Sequence, residues 1–323
     1  LITSGGVYVI LRTAPYEQVT YDGDTDGPPD RATARFFLRT LGPMGVLLAL
    51  PTALVFGVGP ALIALGAFVY PIGFFANRDD KKIGEMDREV PTFIRSLGTI
   101  SGTTTSTLST AMVSLDLESM GTMEPHVLRL RTRLRSELPP ELTWERFKTE
   151  TGNELLRRST EMLVDGVEMG ANGEEVAEIA SSYASSVTEL RQKRQIVASS
   201  FSFLVIPMHV AMTALLLFIL QIVITFDEKL AEVATGVGTT AATAATAATN
   251  VPGLEIFQSQ DLTLITAMIT MVILLLTGAN ALAPKFASGG HNLKIGATLG
   301  VTCMISGVNM LLIPNVAGAL LGT

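Results

Sequence analysis

The chain has one cysteine, one tryptophan and three histidines in 323 residues, and only 16% of it is Asp, Glu, Lys or Arg. The single cysteine, Cys303, excludes an intrachain disulfide and offers no thiolate cluster for a metal. His126, His209 and His291 are far apart, and no pair has the His-x-x-x-His spacing of a metal-binding helix. No Gly-x-x-x-x-Gly-Lys-Ser/Thr run is present, which excludes P-loop nucleotide hydrolysis, and no Gly-x-Ser-x-Gly elbow marks a serine nucleophile. A net charge of −7 without a basic, aromatic-interleaved patch argues against nucleic acid. No Asn-x-Ser/Thr sequon occurs. The chain is therefore expected to be no enzyme, with no catalytic residue, cofactor or metal.

What it has instead is apolar length. Hydrophobic residues make up 48% of the chain and mean hydropathy is +0.42. Phe201 to Phe226, Leu262 to Ala283 and Ile295 to Leu321 contain no Asp, Glu, Lys or Arg over 26, 22 and 27 residues. Each is long enough to cross a hydrocarbon core, which takes about 20 residues. Pro43 to Ala76 is uncharged for 34 residues. As one helix it would be about 51 Å long, against a core of about 30 Å. Gly57-Val58-Gly59-Pro60 sits at its middle and supplies a break, so two spans of about 16 residues are expected.

Charge orients these five spans. Arg31, Arg35 and Arg39 precede the hairpin, Arg78, Lys81 and Lys82 follow it, and Arg191, Lys193 and Arg194 lead into the third span. Lys285 and Lys294 lie between the last two. By the positive-inside rule these flanks are cytoplasmic. Loop 227–261 carries Asp227, Glu228, Glu232, Glu255 and Asp261 against Lys229 alone, so it is outside, and its Thr/Ala tract 239–249 reads as low-complexity loop. The expected class is an all-α polytopic membrane protein with about five transmembrane helices and a cytoplasmic antiparallel helical bundle. Its divisions are a tail and linker over 1–42, a transmembrane hairpin over 43–76, the cytoplasmic domain over 77–198, and three spans over 199–323. Leu1–Leu11 is apolar but too short to span; it reads as the tail of a preceding span or as a short interfacial helix. Residues 15–30, rich in Asp, Gly and Pro, read as a flexible linker.

Within 77–198 the pattern is helical throughout. Val90, Phe93, Ile94, Leu97 and Ile100 form one stripe that Ser101-Gly102 should end. Leu108, Ala111, Met112 and Leu115 resume the spacing, Pro139-Pro140 break it, and a short helix should begin at Thr143-Trp144. Leu155, Met162, Leu163 and Val167 form the next stripe, closed by Gly170 to Gly173. Val176, Ile179, Tyr183, Val187 and Leu190 form the last. Five or six helices are expected.

Four surface or packing features stand out. Arg129, Arg131, Arg133 and Arg135 alternate and spread over more than one helix face, as a solvated basic surface or a dock for an acidic partner. Glu161, Asp165 and Glu168 share one face, solvated or partner-binding. Gly296 and Gly300 form a Gly-x-x-x-Gly for close helix packing, with weak support for dimerisation. His209, two residues after Pro207 inside a span, is expected to be a neutral, hydrogen-bonded packing residue within a turn or two of the cytoplasmic side, although an ionisable group there is by default a functional candidate.

The stretch Glu89-Val90-Pro91-Thr92-Phe93-Ile94-Arg95-Ser96-Leu97, then Ser101-Gly102 and Leu108 to Ala111, resembles the opening helix pair of the F-domain family of type II secretion and type IV pilus platform proteins. Glu168-Met169-Gly170 through Gly173-Glu174-Glu175-Val176 is similar to that family's later Gly-centred turn. Within the family, the archaellum (archaeal flagellar) platforms are most similar, with archaeal adhesion-pilus platforms next. The resemblance implies a non-enzymatic platform in the cell membrane, with a cytoplasmic hexameric secretion ATPase acting on the insert and archaellin or pilin-like subunits taken from the lipid above it. It implies a homodimer, with the Arg row and the acidic face as ATPase contacts. One rival is a transport permease, which would require polar groups converging inside the spans. His209, Gln221, Asn280 and Asn309 are the stronger polar residues available there. A second is a membrane sensor relaying signals through the helical insert, which no kinase or nucleotide motif supports.

Overall fold

The computed structural model describes residues 17–21, 28–104, 108–116, 120–236 and 262–321. Leu1–Leu11, residues 105–107 and the Thr/Ala tract lie outside them. The helices are α1 (Pro29–Phe56), α2 (Val58–Thr104), α3 (Leu108–Val113), α4 (Glu124–Arg135), α5 (Pro140–Thr151), α6 (Glu154–Glu168), α7 (Gly173–Gly236), α8 (Leu262–Ser288) and α9 (Ile295–Leu321). Among the described residues the sole extended pairing is one bridge, Thr20 to Asn153. Helices α1, α2, α7, α8 and α9 are long and apolar enough to cross a membrane, as in a multi-pass membrane protein. The expected break falls at Gly57, whose φ of +89° ends α1 in a conformation that costs other residues energy. Both helices run well beyond the apolar segment, because the flanking sequences are themselves helix-forming.

Two compact units divide the chain, with every boundary inside a helix: residues 1–40, 71–201 and 284–297 form one, and 41–70, 202–283 and 298–323 the other. In the first, the charged unit, Ile83, Met86, Val90, Phe93, Ile94 and Leu97 of α2 meet Met112, Leu130, Phe147, Leu156 and Leu163 from α3 to α6. The α2 stripe is buried as its spacing implies, yet Ser101-Gly102 does not end the helix, which continues to Thr104. Pro140 begins α5, three residues before Thr143, because the first turn needs no proline N–H.

The α7 stripe is corrected by the structure. Ile179 and Leu190 are 70% and 67% exposed, while Ala177, Ala180 and Ala184 are buried. The reason is close approach: a Cβ at Gly98 would overlap that of Ala177 and come within 2.7 Å of Gly173 O. Where α2 and α7 run this near each other, only small residues fit between them, so Ile179 and Leu190 are turned outward while Val176, Tyr183 and Val187 pack at the edge of the core. Met162 is likewise 42% exposed.

Residues 17–21 are not free linker. Tyr21 N donates to Gly152 O (2.9 Å) and Glu154 N donates to Val19 O (3.2 Å). Arg31, 2% exposed, reaches Asp79 (3.0 Å), Tyr21 O (2.8 Å) and Gly152 O (3.2 Å). A buried guanidinium requires this full set of acceptors. Gly152 caps α5 at φ +58°, and a Cβ there would lie 2.7 Å from Pro28.

Candidate functional site

Two regions carry polar groups that call for a functional account: the surface of the charged unit and the interior of the apolar unit.

On the charged unit, Arg129 and Arg133, one turn apart on α4, both turn to Glu150 of α5, Arg129 at 3.6 Å and Arg133 in a close hydrogen bond. Arg131 and Arg135 have no carboxylate partner among the described residues. The row is thus split, two arginines tying α4 to α5 and two, half-buried Arg131 and exposed Arg135, left without a carboxylate. His126 lies 3.0 Å from Arg129. Burial, and then the charge of Arg129, push its imidazole down to about 4. On α6, Glu161 is held by Lys148 (3.1 Å) and Arg157 (2.6 Å). Asp165 and Glu168 are exposed and unpaired among the described residues. They precede a turn in which Gly170 takes φ +89° and the Asn172 side chain accepts from Glu174 N (2.9 Å).

Beneath this surface lies an ionic framework that sequence spacing does not reveal. Asn153 caps α6, its side-chain oxygen accepting from Leu156 N (3.0 Å) while its amide donates to Asp87 (2.8 Å). Asp87 also accepts from Arg191 (2.8 Å), which reaches Glu17 (2.6 Å). Burial pushes the Asp79 and Asp87 carboxyls upward, against the opposing pull of Arg31 and Arg191. Glu89, in the stretch that resembles the platform family, accepts from Thr122 N and Met123 N, both at 2.9 Å, and so caps the 3-10 turn Gly121–Met123.

Inside the apolar unit the expected scatter of polar residues is a connected cluster. His209 is fully buried. Asn280 Nδ2 donates to its Nδ1 (3.0 Å), which leaves the ring proton on Nε2, facing Ser306 Oγ (2.9 Å) and Thr302 O (3.3 Å). Ser306 Oγ lies 2.7 Å from Thr277 Oγ1, and Thr277 donates to Ile273 O (2.7 Å). One direction satisfies all of them: Asn280 to His209, His209 to Ser306, Ser306 to Thr277, Thr277 to Ile273 O. Asn309 donates to Thr213 (2.7 Å), whose hydroxyl donates to His209 O (2.7 Å). The bonds tie α7, α8 and α9 together. His209 stands eight residues past Phe201, about 12 Å along the helix.

Glycines bring α2 and α9 together. In the apolar unit a Cβ at Gly66 would come within 2.6 Å of Gly300 O, and one at Gly307 within 2.5 Å of Gly59 O. In the charged unit Gly73 packs against Gly296 and Ala297 so closely that a Cβ would overlap the backbone. Gly296 and Gly300 therefore pack within the chain against α2, as the expected close helix packing requires. Among the described residues no three His, Cys, Asp or Glu side chains are grouped as metal ligands.

No protein-family model matches the sequence, and no solved structure matches the chain. A distant likeness does exist to Flagella accessory protein J of Methanococcus voltae, 21% identical over 205 residues. That alignment takes in 58% of this chain and 36% of the relative, so the chain spans about a third of that protein's length. The likeness supports an archaellum-related protein.

Proposed function

We propose that the chain is the membrane platform of an archaellum or related type IV pilus-like filament, coupling a cytoplasmic secretion ATPase to insertion of archaellin or pilin-like subunits. The carrying observation is the likeness to Flagella accessory protein J in a chain whose charged helical unit is joined to five apolar helices long enough to span. In this reading the chain is not an enzyme. It sits in the cell membrane with the charged unit in the cytoplasm, and acts as a dimer. Arg131 and Arg135, with Asp165 and Glu168, are the charges left over after internal pairing and are the proposed ATPase contacts, with Arg129, Arg133 and Glu161 bracing them. Arginine forks suit carboxylates on such a partner. An adhesion-pilus or type II secretion platform is the same reading with a different filament.

Co-purification from native membrane, with partners identified by mass, tests it. A hexameric secretion ATPase or pilin-like subunits should accompany the chain; repeated recovery without either would count against the platform. Arg131→Glu with Arg135→Glu should reduce ATPase capture by a folded variant, and unchanged capture would remove that surface. The permease reading gains one observation, the convergence of His209, Asn280 and Asn309 within the spans. Its side chains are hydrogen-bonded to one another and to helix carbonyls, however, as expected of a helix-packing node. Solute uptake on expression of this chain alone would favour the permease.

A further inference from the structure

The charged unit contains a cleft of about 590 Å³ whose walls come from α2 over 77–88, α7 over 188–199 and the turn 288–294 between α8 and α9. We propose that it binds the phosphate headgroup of an anionic phospholipid. This inference rests on the membrane-spanning helices and is independent of the filament reading.

Depth comes first. Each long wall joins an apolar segment within a few residues: Asn77 follows Ala76, Ser199 is two residues before Phe201, and Lys294 directly precedes the last apolar run. The end of the cavity formed by Asn77, Lys81, Ser199 and Lys294 therefore lies in the headgroup region, which adds roughly 10–15 Å to the hydrocarbon thickness in total. Basic pockets between spans are where acidic headgroups are recognised.

Charge comes second. Lys81, Arg88, Arg191, Arg194 and Lys294 line the cleft. The acids that line it are already engaged. Asp80 accepts from Lys294 (3.2 Å) and His291 N (3.1 Å), and Asp87 takes Arg191. Glu17 takes Arg191 at 2.6 Å, and Glu85 stands 4.0 Å from Lys81. Five cations against four carboxylates leave one positive charge over, which matches a phosphodiester monoanion.

The surplus is also located. Arg194 gives Nε to Ala287 O (3.0 Å) and Nη2 to Phe286 O (3.1 Å), so its closest partners are neutral carbonyls, with Glu17 no nearer than 3.9 Å. Arg88 is exposed and has no carboxylate partner among the described residues. The turn beside them is shaped by Gly289 and Gly290, at φ +72° and +80°. A Cβ at Gly289 would meet the Arg194 guanidinium and one at Gly290 the Asp80 carboxylate, so glycine holds the cleft open on that side. A lipid phosphate and free phosphate share this chemistry. Depth favours the lipid, whose tails the neighbouring hydrocarbon accepts.

The test is native mass spectrometry of the purified full chain in detergent. Dioleoylphosphatidylglycerol or dioleoylphosphatidylcholine is added at equal ratio, with and without millimolar inorganic phosphate. The expected result is about tenfold tighter retention of phosphatidylglycerol, undisturbed by phosphate. Lys81→Gln, at the end of the cleft nearest the apolar segments, should lower that retention several-fold at an unchanged melting temperature. Arg146→Gln, which removes an exposed charge away from the cleft, should leave it unaltered. Equal retention of phosphatidylcholine, displacement by phosphate, or the same effect from Arg146→Gln as from Lys81→Gln would each overturn the assignment.

Discussion

In the charged unit Phe93, Ile94 and Leu97 are wholly buried, whereas in the apolar unit the wholly buried positions include His209, Thr213 and Ser306, and Leu54 and Phe203 are 88% and 76% exposed. The same physical chemistry, applied in two solvents, produces this inversion. In water the strongest drive is to remove apolar surface, so large aliphatic and aromatic side chains collect inside. In hydrocarbon that drive vanishes between helices, and close packing of glycine and hydrogen bonding between buried polar groups take its place. Thr213, Thr277 and Thr302 also bond to carbonyls one turn back in their own helices, which leaves few polar atoms to lipid.

That contrast can be broken most severely from the aqueous side. Phe93→Ala should destabilise the charged unit by about 3–5 kcal/mol through lost burial and the cavity left behind, read as a fall in melting temperature of the purified chain. Gly66→Leu attacks the other unit by overpacking, at about 1–3 kcal/mol or more; loss of monodisperse protein in detergent would report it. Gly84→Leu, where a Cβ meets nothing, is its control. His209→Ala should cost less, on the order of 0.6–1.7 kcal/mol, since hydrogen bonds between membrane helices are individually modest. A loss as large as that of Phe93→Ala would mean that the polar cluster, not glycine packing, dominates the apolar unit.

A further effect depends on pH. His126 binds its proton less readily when folded, near 4 against about 6.5 in an unfolded chain. Its contribution to stability is therefore complete above about 6.5 and is lost as pH falls toward 4. His126→Gln should flatten that part of the melting-temperature profile between pH 7 and 5. The least effect is expected at Ile179→Ala, within about 0.5 kcal/mol, because the side chain is 70% exposed. A loss of 2 kcal/mol there would contradict the observed orientation of α7.

Legibility from sequence followed the range of the interactions. The break at Gly57, the α2 stripe and the turn at Gly170 depend on neighbours within a few residues, and their spacing gave them away. The face of α7 did not, because Ala177, Ala180 and Ala184 are buried by the nearness of Gly98, a partner far away in the chain. The arginine row was visible as a row, but Glu150 divides it between bracing and exposure. His209 was recognisable as a polar group in a span. That Asn280, Thr277, Thr302 and Ser306 surround it could not be read from any spacing.

Apolar run lengths and the placement of charge, summed over each segment, determined by themselves that this is a helical chain with, among the described residues, five helices long and apolar enough to cross a membrane and a charged stretch between them. The long-range pairings were left to the tertiary structure: Arg31 with Asp79, Asp87 with Asn153 and Arg191, glycine against glycine on α2 and α9, and the arginines still open to a partner. Such contacts form only when distant helices meet, and the energy of each depends on what the fold removes from water or lipid around it.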